Sequence, residues 1–396
     1  MSPAGAVALA RPVRVRLAAV FALLSLGFSL VSLFHWDAFR HASVLGLFTV
    51  FERHDMHVYF LSSAWVQGQG TLYREVASEY LLPANLLFGA VRFVSRFVPV
   101  LADPFDRFAW LWVSVTLPLY LFVLYRLITR YPRPAPLLWL TPAALHFSLY
   151  RFDVYTVVAM LFAVEAIRAD HLRRGALLLG LVSALKAYAL FLVPAYTIYV
   201  WSRRPVRETL EVLVLQLAPF VLANLVVILF AGRDGMLFPF RFQAIRGLNG
   251  ESGYDGIAYL TGPALPALIA RARWIPPLLQ AASALGAAAF RPRRFEDLLR
   301  AFLFALAGFV SFSVFYSPQF VLWLVPFVAW WTWPQLSVAV VALSWITFAY
   351  FPIAYFRRER HPGLFRGLIV AVTALRFALM AMAARPPKPP PASSAA

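Results

Sequence analysis

The chain has 396 residues, of which 61% are hydrophobic and only 14% charged, about half the charged share of an ordinary globular domain. Such a chain cannot solvate its own surface, which excludes a soluble enzyme and points to a membrane-embedded protein. The formal net charge of +18 sits in short basic clusters between apolar runs, the pattern of cytoplasmic loops rather than of a nucleic-acid face, and the absence of cysteine excludes disulfides, thiolate metal sites and a cysteine nucleophile.

Arg11, Arg14 and Arg16 precede the first apolar run, Leu17 to Trp36. No small-residue cleavage site follows it, so it reads as a retained anchor whose basic flank stays cytoplasmic. Hydropathy then predicts helices at 15–35, 108–125, 135–150, 153–168, 174–187, 188–202, 208–231, 264–290, 299–315, 319–333, 335–352 and 363–384. That makes about twelve crossings. Runs of this length suit helices rather than barrel strands, because every backbone polar group in hydrocarbon must be paired within its own segment. The expected fold is therefore an all-α polytopic transmembrane helix bundle of about 10–13 helices, forming one domain over residues 1–384. The apolar stretch from Leu81 to Val100 carries Arg92 and Arg96 in mid-span. Two buried charges would be costly there, so it is expected to lie in the interface.

The clusters at Arg126, Arg130 and Arg133, at Arg168, Arg173 and Arg174, at Arg203, Arg204 and Arg207, and at Arg291, Arg293, Arg294 and Arg300 all fall on the cytoplasmic side of this topology. Arg357, Arg358 and Arg360 break the pattern by landing outside, through either a miscounted late helix or an anionic ligand. The Pro-rich tail, 385–396, is expected to be disordered and cytoplasmic.

This topology gathers most other polar residues at the opposite, extracytoplasmic face. A first outer loop, 37–107, carries Glu52, Asp55, Glu75, Glu79, Asp103 and Asp106, and a second, 232–262, carries Arg233, Asp234, Arg241, Arg246, Glu251 and Asp255. Short outer turns add Arg151 and Asp153, then Lys186, then Ser317-Pro318-Gln319. Ionisable groups converging near hydrocarbon mark a site, since each is expensive unless paired or used.

These residues follow an ordered pattern: Asp55-Met56-His57-Val58-Tyr59, then Gly70 and Tyr73, Glu79-Tyr80 with Pro83, and Arg151-Phe152-Asp153. Gly180 to Lys186 follows with Tyr188 and Pro194, then Arg246 to Ser252, and Ser317-Pro318-Gln319-Phe320 with Trp323 and Pro326. In that order the chain resembles the GT-C superfamily of integral membrane glycosyltransferases, of the family 87 type that includes bacterial polyprenyl-phosphate-mannose-dependent mannosyltransferases. The resemblance implies a hexosyltransferase of the cell envelope. It would move a single sugar, mannose by family habit, from a polyprenyl-phosphate donor to a lipid- or glycan-linked acceptor hydroxyl, with inversion and without a cofactor. A lipid-linked glycan polymerase or ligase would share the outer site and the lipid donor, and a sugar-lipid flippase or transporter would share the polytopic, basic character.

An inverting transfer needs a carboxylate at the nucleophilic oxygen and cations at the departing phosphate. By the resemblance Asp55 is that carboxylate, its alternative being a loop acid paired with Arg53 or capping a helix. Glu52, three residues earlier, is the fallback base or else an exposed interface charge. Lys186, Arg241, Arg246 and Arg151 are the candidate donor-phosphate ligands. Arg241 and Arg246 sit five apart in a loop rich in Gly and Phe, a mobile segment able to fold over the phosphate head group and clamp it; against these readings, Lys186 would snorkel, Arg151 would pair with Asp153, and Arg241 and Arg246 would belong to a solvated loop of basic bias. Glu79, Tyr80, Glu251 and Gln319 are the candidates for positioning acceptor or sugar, Glu79 being equally able to pair with Arg74. His54 and His57 bracket Asp55, but two His and one Asp are too few to hold a metal, so none is expected.

Overall fold

A computed structural model describes residues 11–36, 43–44, 48–49, 54–132, 134–330 and 334–385. Glu52, Arg53 and the tail beyond 385 lie outside the described residues. Within them the chain is a helical bundle, and its only strands are a two-residue ladder between Ser43–Val44 and Phe48–Thr49.

The principal helices in chain order are α1 (Arg11–Phe34), α2 (His54–Ser62), α3 (Leu82–Ser95), α4 (Pro104–Arg130), α5 (Pro142–Tyr150), α6 (Asp153–Arg168) and α7 (Leu172–Leu185). They continue with α8 (Val193–Trp201), α9 (Val206–Ile245), α10 (Gly253–Thr261), α11 (Ile275–Ala289), α12 (Phe295–Ser311), α13 (Pro334–Phe348) and α14 (Pro362–Ala384). Proline sets many of the starts. A first-turn amide has no intrahelical acceptor, so a proline there costs no hydrogen bond, and α3, α4, α5, α8, α11 and α14 all carry one at that place.

Five helical segments are long and apolar enough to cross a bilayer: Pro12–Phe34, Pro104–Arg130, Val206–Ile245, Pro334–Arg357 and Pro362–Ala384. The pair α5 and α6, bent by 109°, makes a sixth if it counts as one broken span. The protein is thus an all-α, multi-pass membrane protein. The twelve expected crossings resolve into these spans and shorter apolar helices. The run at 135–150 breaks before Pro142, and that at 264–290 breaks into Ala264–Arg271 and α11. The run at 319–333 becomes 3₁₀ turns over Pro318–Leu324 followed by the single turn Val325–Val328.

Two kinds of helix result. α1 and α9 expose their apolar side chains, among them Leu23, Val31, Leu222 and Leu229, as lipid-facing helices do. By contrast, α5 and the Pro318–Val328 segment are buried along nearly their whole length and pack against each other. With α6, α7, α12 and α13 they form the main core. α7 lies close along α9 because position 180 is glycine: a Cβ there would sit 2.6 Å from the Gln216 carbonyl oxygen, the close approach that small residues permit between membrane helices. α9 bends at Gly232, whose φ of 74° is open to glycine.

One loop expectation is corrected. Residues 233–245 are helical, and the second outer loop contracts to 246–252 before α10, which begins with a Ser252–Asp255 capping box. In α3, Arg92 does not reach toward water. Its guanidinium donates to the Phe60 carbonyl at 2.6 Å and to Gln67 Oε1 at 2.5 Å and lies 3.6 Å over the Phe60 ring, so it ties α3 to α2.

Candidate functional site

The first turn of α2 carries Asp55, and Met56 and Tyr59 on the same helix are fully buried. Tyr59 stacks on Phe88 of α3 at 4.3 Å and meets Trp112 of α4 at 5.0 Å. The aromatic cluster fixes the axis of α2 and turns Asp55 toward the break between α5 and α6. There Asp55 Oδ2 forms an ion pair with Arg151 Nη1, the Arg151 side chain being only 6% exposed.

Arg151 was expected to bind the donor phosphate or else to pair with Asp153. They do not pair. The 109° bend sends two side chains that are two residues apart in different directions. Asp153, with no exposed surface, uses Oδ1 to accept from Lys186 Nζ at 2.7 Å and from Trp323 Nε1 at 2.6 Å. Its other oxygen, Oδ2, has no hydrogen-bond partner among the described residues. Lys186 therefore does not snorkel outward. It closes α7, and its ammonium lies 4.7 Å from the Phe152 ring and 4.8 Å from that of Trp323. Trp323 in turn stacks on Tyr188 at 3.9 Å.

A third ion pair joins the segment between α2 and α3 to the end of α9. Glu79 Oε2 accepts from Arg246 Nη1 at 3.4 Å and from Gln243 Nε2 at 3.3 Å, so its partner is Arg246 rather than Arg74. Glu79 is held there by a polar clasp. Asn85 Nδ2 donates to the Tyr80 carbonyl at 2.8 Å and to the Tyr73 hydroxyl at 2.9 Å, while the Tyr73 hydroxyl donates to the same carbonyl at 2.6 Å. Tyr80 packs edge-on to Tyr59, Phe88 and Phe152. Burial, helped by the neighbouring Glu79 carboxylate, holds its phenol well above the usual range, so it stays a hydrogen-bond donor. Arg246 lies 4.2 Å over the Phe315 ring and is more than a third exposed.

The other candidates separate. Arg241 is a correction: it sits on the helical part of α9 that follows the Gly232 kink, more than half exposed, and meets Asp234 at 2.9 Å, so no loop carries it over the site. Gln319 is buried, and its Oε1 has no hydrogen-bond partner among the described residues. Glu251 accepts from the Tyr350 hydroxyl. Burial pushes its carboxyl up to about 7, against the opposing pull of that hydroxyl and of Arg358 and Arg246.

Because the folded Glu251 holds its proton more tightly than the unfolded chain does, its contribution to stability is complete below about pH 4.5 and lost as pH rises through 7. Thermal unfolding in detergent is expected to show a decline across that window that Glu251→Gln flattens. An identical slope in the variant would assign the decline to other groups.

Sequence reasoning missed Asp153 as a site residue and missed the group behind Glu251. There Arg376 of α14, only 2% exposed, donates to Thr373 Oγ1 at 2.8 Å and lies 4.3 Å over Tyr316. An arginine inside an apolar run was the available signal. No family model, curated protein or solved structure matches the chain.

Proposed function

We propose that the protein is a membrane glycosyltransferase of the GT-C type, which passes a single hexose from a polyprenyl-phosphate donor to a lipid- or glycan-linked acceptor hydroxyl on the extracytoplasmic face. What supports this reading most is the pairing of Asp55 with Arg151 beside the Asp153–Lys186 pair. A carboxylate at a helix start and two cations thus share one polar end of the bundle, as an inverting transfer onto a hydroxyl requires.

In this reading the donor's phosphate competes with Asp55 for Arg151 and approaches Lys186, whose ammonium donates among the described residues to Asp153 alone. The released Asp55 takes the proton of the acceptor hydroxyl. As the new bond forms at the anomeric carbon, the bond to the phosphate oxygen breaks on the opposite face, and its electron pair leaves with the lipid phosphate. Asp153 acts on Lys186 and is a positioning residue. Glu79 and Tyr80 border the acceptor side, and Arg246 is drawn from Glu79 to the departing phosphate.

The direct experiment supplies purified protein with labelled polyprenyl-phosphate-mannose and an acceptor extract, and measures both sugar transfer and polyprenyl-phosphate release. Transfer of one sugar per lipid phosphate released is expected. Transfer only of preassembled glycans would favour a ligase or polymerase, and movement of the lipid without cleavage a flippase. Arg246→Ala is expected to lower turnover at saturating acceptor by roughly thirtyfold, the effect of removing one charge-assisted hydrogen bond; unchanged turnover would make Arg246 only a partner of Glu79.

The orientation belongs to the same proposal, with both chain ends cytoplasmic. A reporter fused after Arg204 is expected to read cytoplasmic, and one near Gly68 or Gly250 external. A cytoplasmic reading at Gly68 would separate Asp55 from an extracytoplasmic donor and end the mechanism.

A further inference from the structure

The end of the bundle away from Asp55 holds a second concentration of charge. α4 begins beside α2, where Phe108 meets Phe60 at 5.6 Å, and ends at Arg130. α6 begins with Asp153 and ends with Arg168, about 22 Å further along at 1.5 Å per residue. Between these far ends and the start of α7 lies a cavity of about 630 Å³. Arg126 and Arg130 of α4, Arg168 of α6 and Arg174 of α7 line it.

Glu165 is the single carboxylate in that lining, and it is already engaged. It accepts from Arg126 Nε at 3.2 Å and from the Tyr131 hydroxyl at 3.3 Å. Arg130, Arg168 and Arg174 form no ion pair among the described residues; Glu296 influences Arg168 electrostatically without pairing with it. The Arg168 guanidinium lies 3.8 Å over the Trp330 ring. That stacking fixes its plane while leaving its edge donors for another acceptor. A second cavity, of about 520 Å³, adjoins the first through His171 and Arg174.

A positive-inside bias accounts for arginines at helix ends. It does not account for four of them, from three helices, lining one cavity with an aromatic wall. Phe162, 5.3 Å below the Arg126 guanidinium, extends that wall toward the apolar part of α6, so the lining passes from cationic to apolar as the boundary of a phospholipid does.

We propose that this cavity is a second anion site, separate from the Asp55 end, and that it takes a phosphate group. The phosphate belongs either to the headgroup of an anionic lipid or to a free polyphosphate compound. The test measures binding to the full chain in neutral phosphatidylcholine nanodiscs, with phosphatidylglycerol as the lipid probe and inorganic pyrophosphate as the soluble one. A triple variant, Arg130→Gln, Arg168→Gln and Arg174→Gln, leaves Arg126 to neutralise Glu165. It is expected to bind its ligand about a hundredfold more weakly, the effect of removing one cationic group at each of the three positions. A control triple, Arg207→Gln, Arg291→Gln and Arg293→Gln, removes equal charge outside the cavity and is expected to bind as the unaltered protein does.

Phosphatidylglycerol binding that depends on the cavity arginines assigns the site to a lipid headgroup. The same dependence for pyrophosphate alone assigns it to a soluble phosphate compound. Equal weakening in the two triples, or no arginine-dependent binding of either probe, overturns the proposal.

Discussion

Asp55→Asn is expected to cut sugar transfer about a hundredfold or more while the protein is still made, extracted and able to bind donor. The substitution keeps the volume and one carbonyl acceptor for Arg151 but removes the basicity the reaction uses. It also leaves Arg151, only 6% exposed, facing an uncharged partner, so a stability loss of about 1–2 kcal/mol is expected alongside. The two effects are separable. Adding Arg151→Gln should recover that stability, because the uncompensated cation is gone, and should recover none of the activity. If Asp55→Asn transfers sugar within a few-fold of the unaltered protein, Asp55 is a structural partner of Arg151, and Glu52→Gln becomes the next variant to assay.

The largest stability effect is expected at Asp153. Its carboxylate is fully buried and serves both Lys186 and Trp323. Asp153→Ala leaves a largely buried ammonium without its counter-charge, a change that costs about 3–5 kcal/mol where buried pairs are broken from one side. Pairing it with Lys186→Met should restore much of that loss, since two apolar side chains replace the pair. Thermal unfolding of the three variants in one detergent measures this. An Asp153→Ala protein that melts within a degree of the unaltered one would mean that water screens Lys186 and that the pair is not structural.

Much of the bundle was legible because hydropathy and proline carry it. The runs at 108–125, 208–231 and 363–384 each fall within a long helix, and prolines mark many of the starts. What hydropathy does not contain is the direction of a side chain at a break. Arg151 and Asp153 read as neighbours, yet the bend gives one to Asp55 and the other to Lys186. Glu79 read as a partner for Arg74, and only the approach of α9 to the Tyr73–Asn85 clasp reveals Arg246. Arg241 read as a loop cation because Gly232 signals a loop, whereas the glycine makes only a kink, after which the chain resumes as helix to Ile245. In each case the residue type and its level along the bundle were readable, and the partner depended on packing between segments far apart in sequence.

The buried helix α5 also bears on how the protein is assembled. Nine residues rise only about 14 Å, far less than the roughly 30 Å of a bilayer core, so α5 cannot be delivered to the membrane as an independent hydrophobic unit. Its fit comes from neighbours made later: the Thr141 hydroxyl just before it meets Ser344 of α13 at 2.6 Å, and the Pro318–Val328 segment covers its side. The long helices α1, α4 and α9 can enter the bilayer as they emerge during synthesis, while α5 and the 151–153 junction must wait for the last third of the chain. A ribosome halted before residue 318 would thus hold an anchored protein in which α5 lacks its cover and Asp153 lacks Trp323, so the 151–153 junction is among the later parts of the molecule to form.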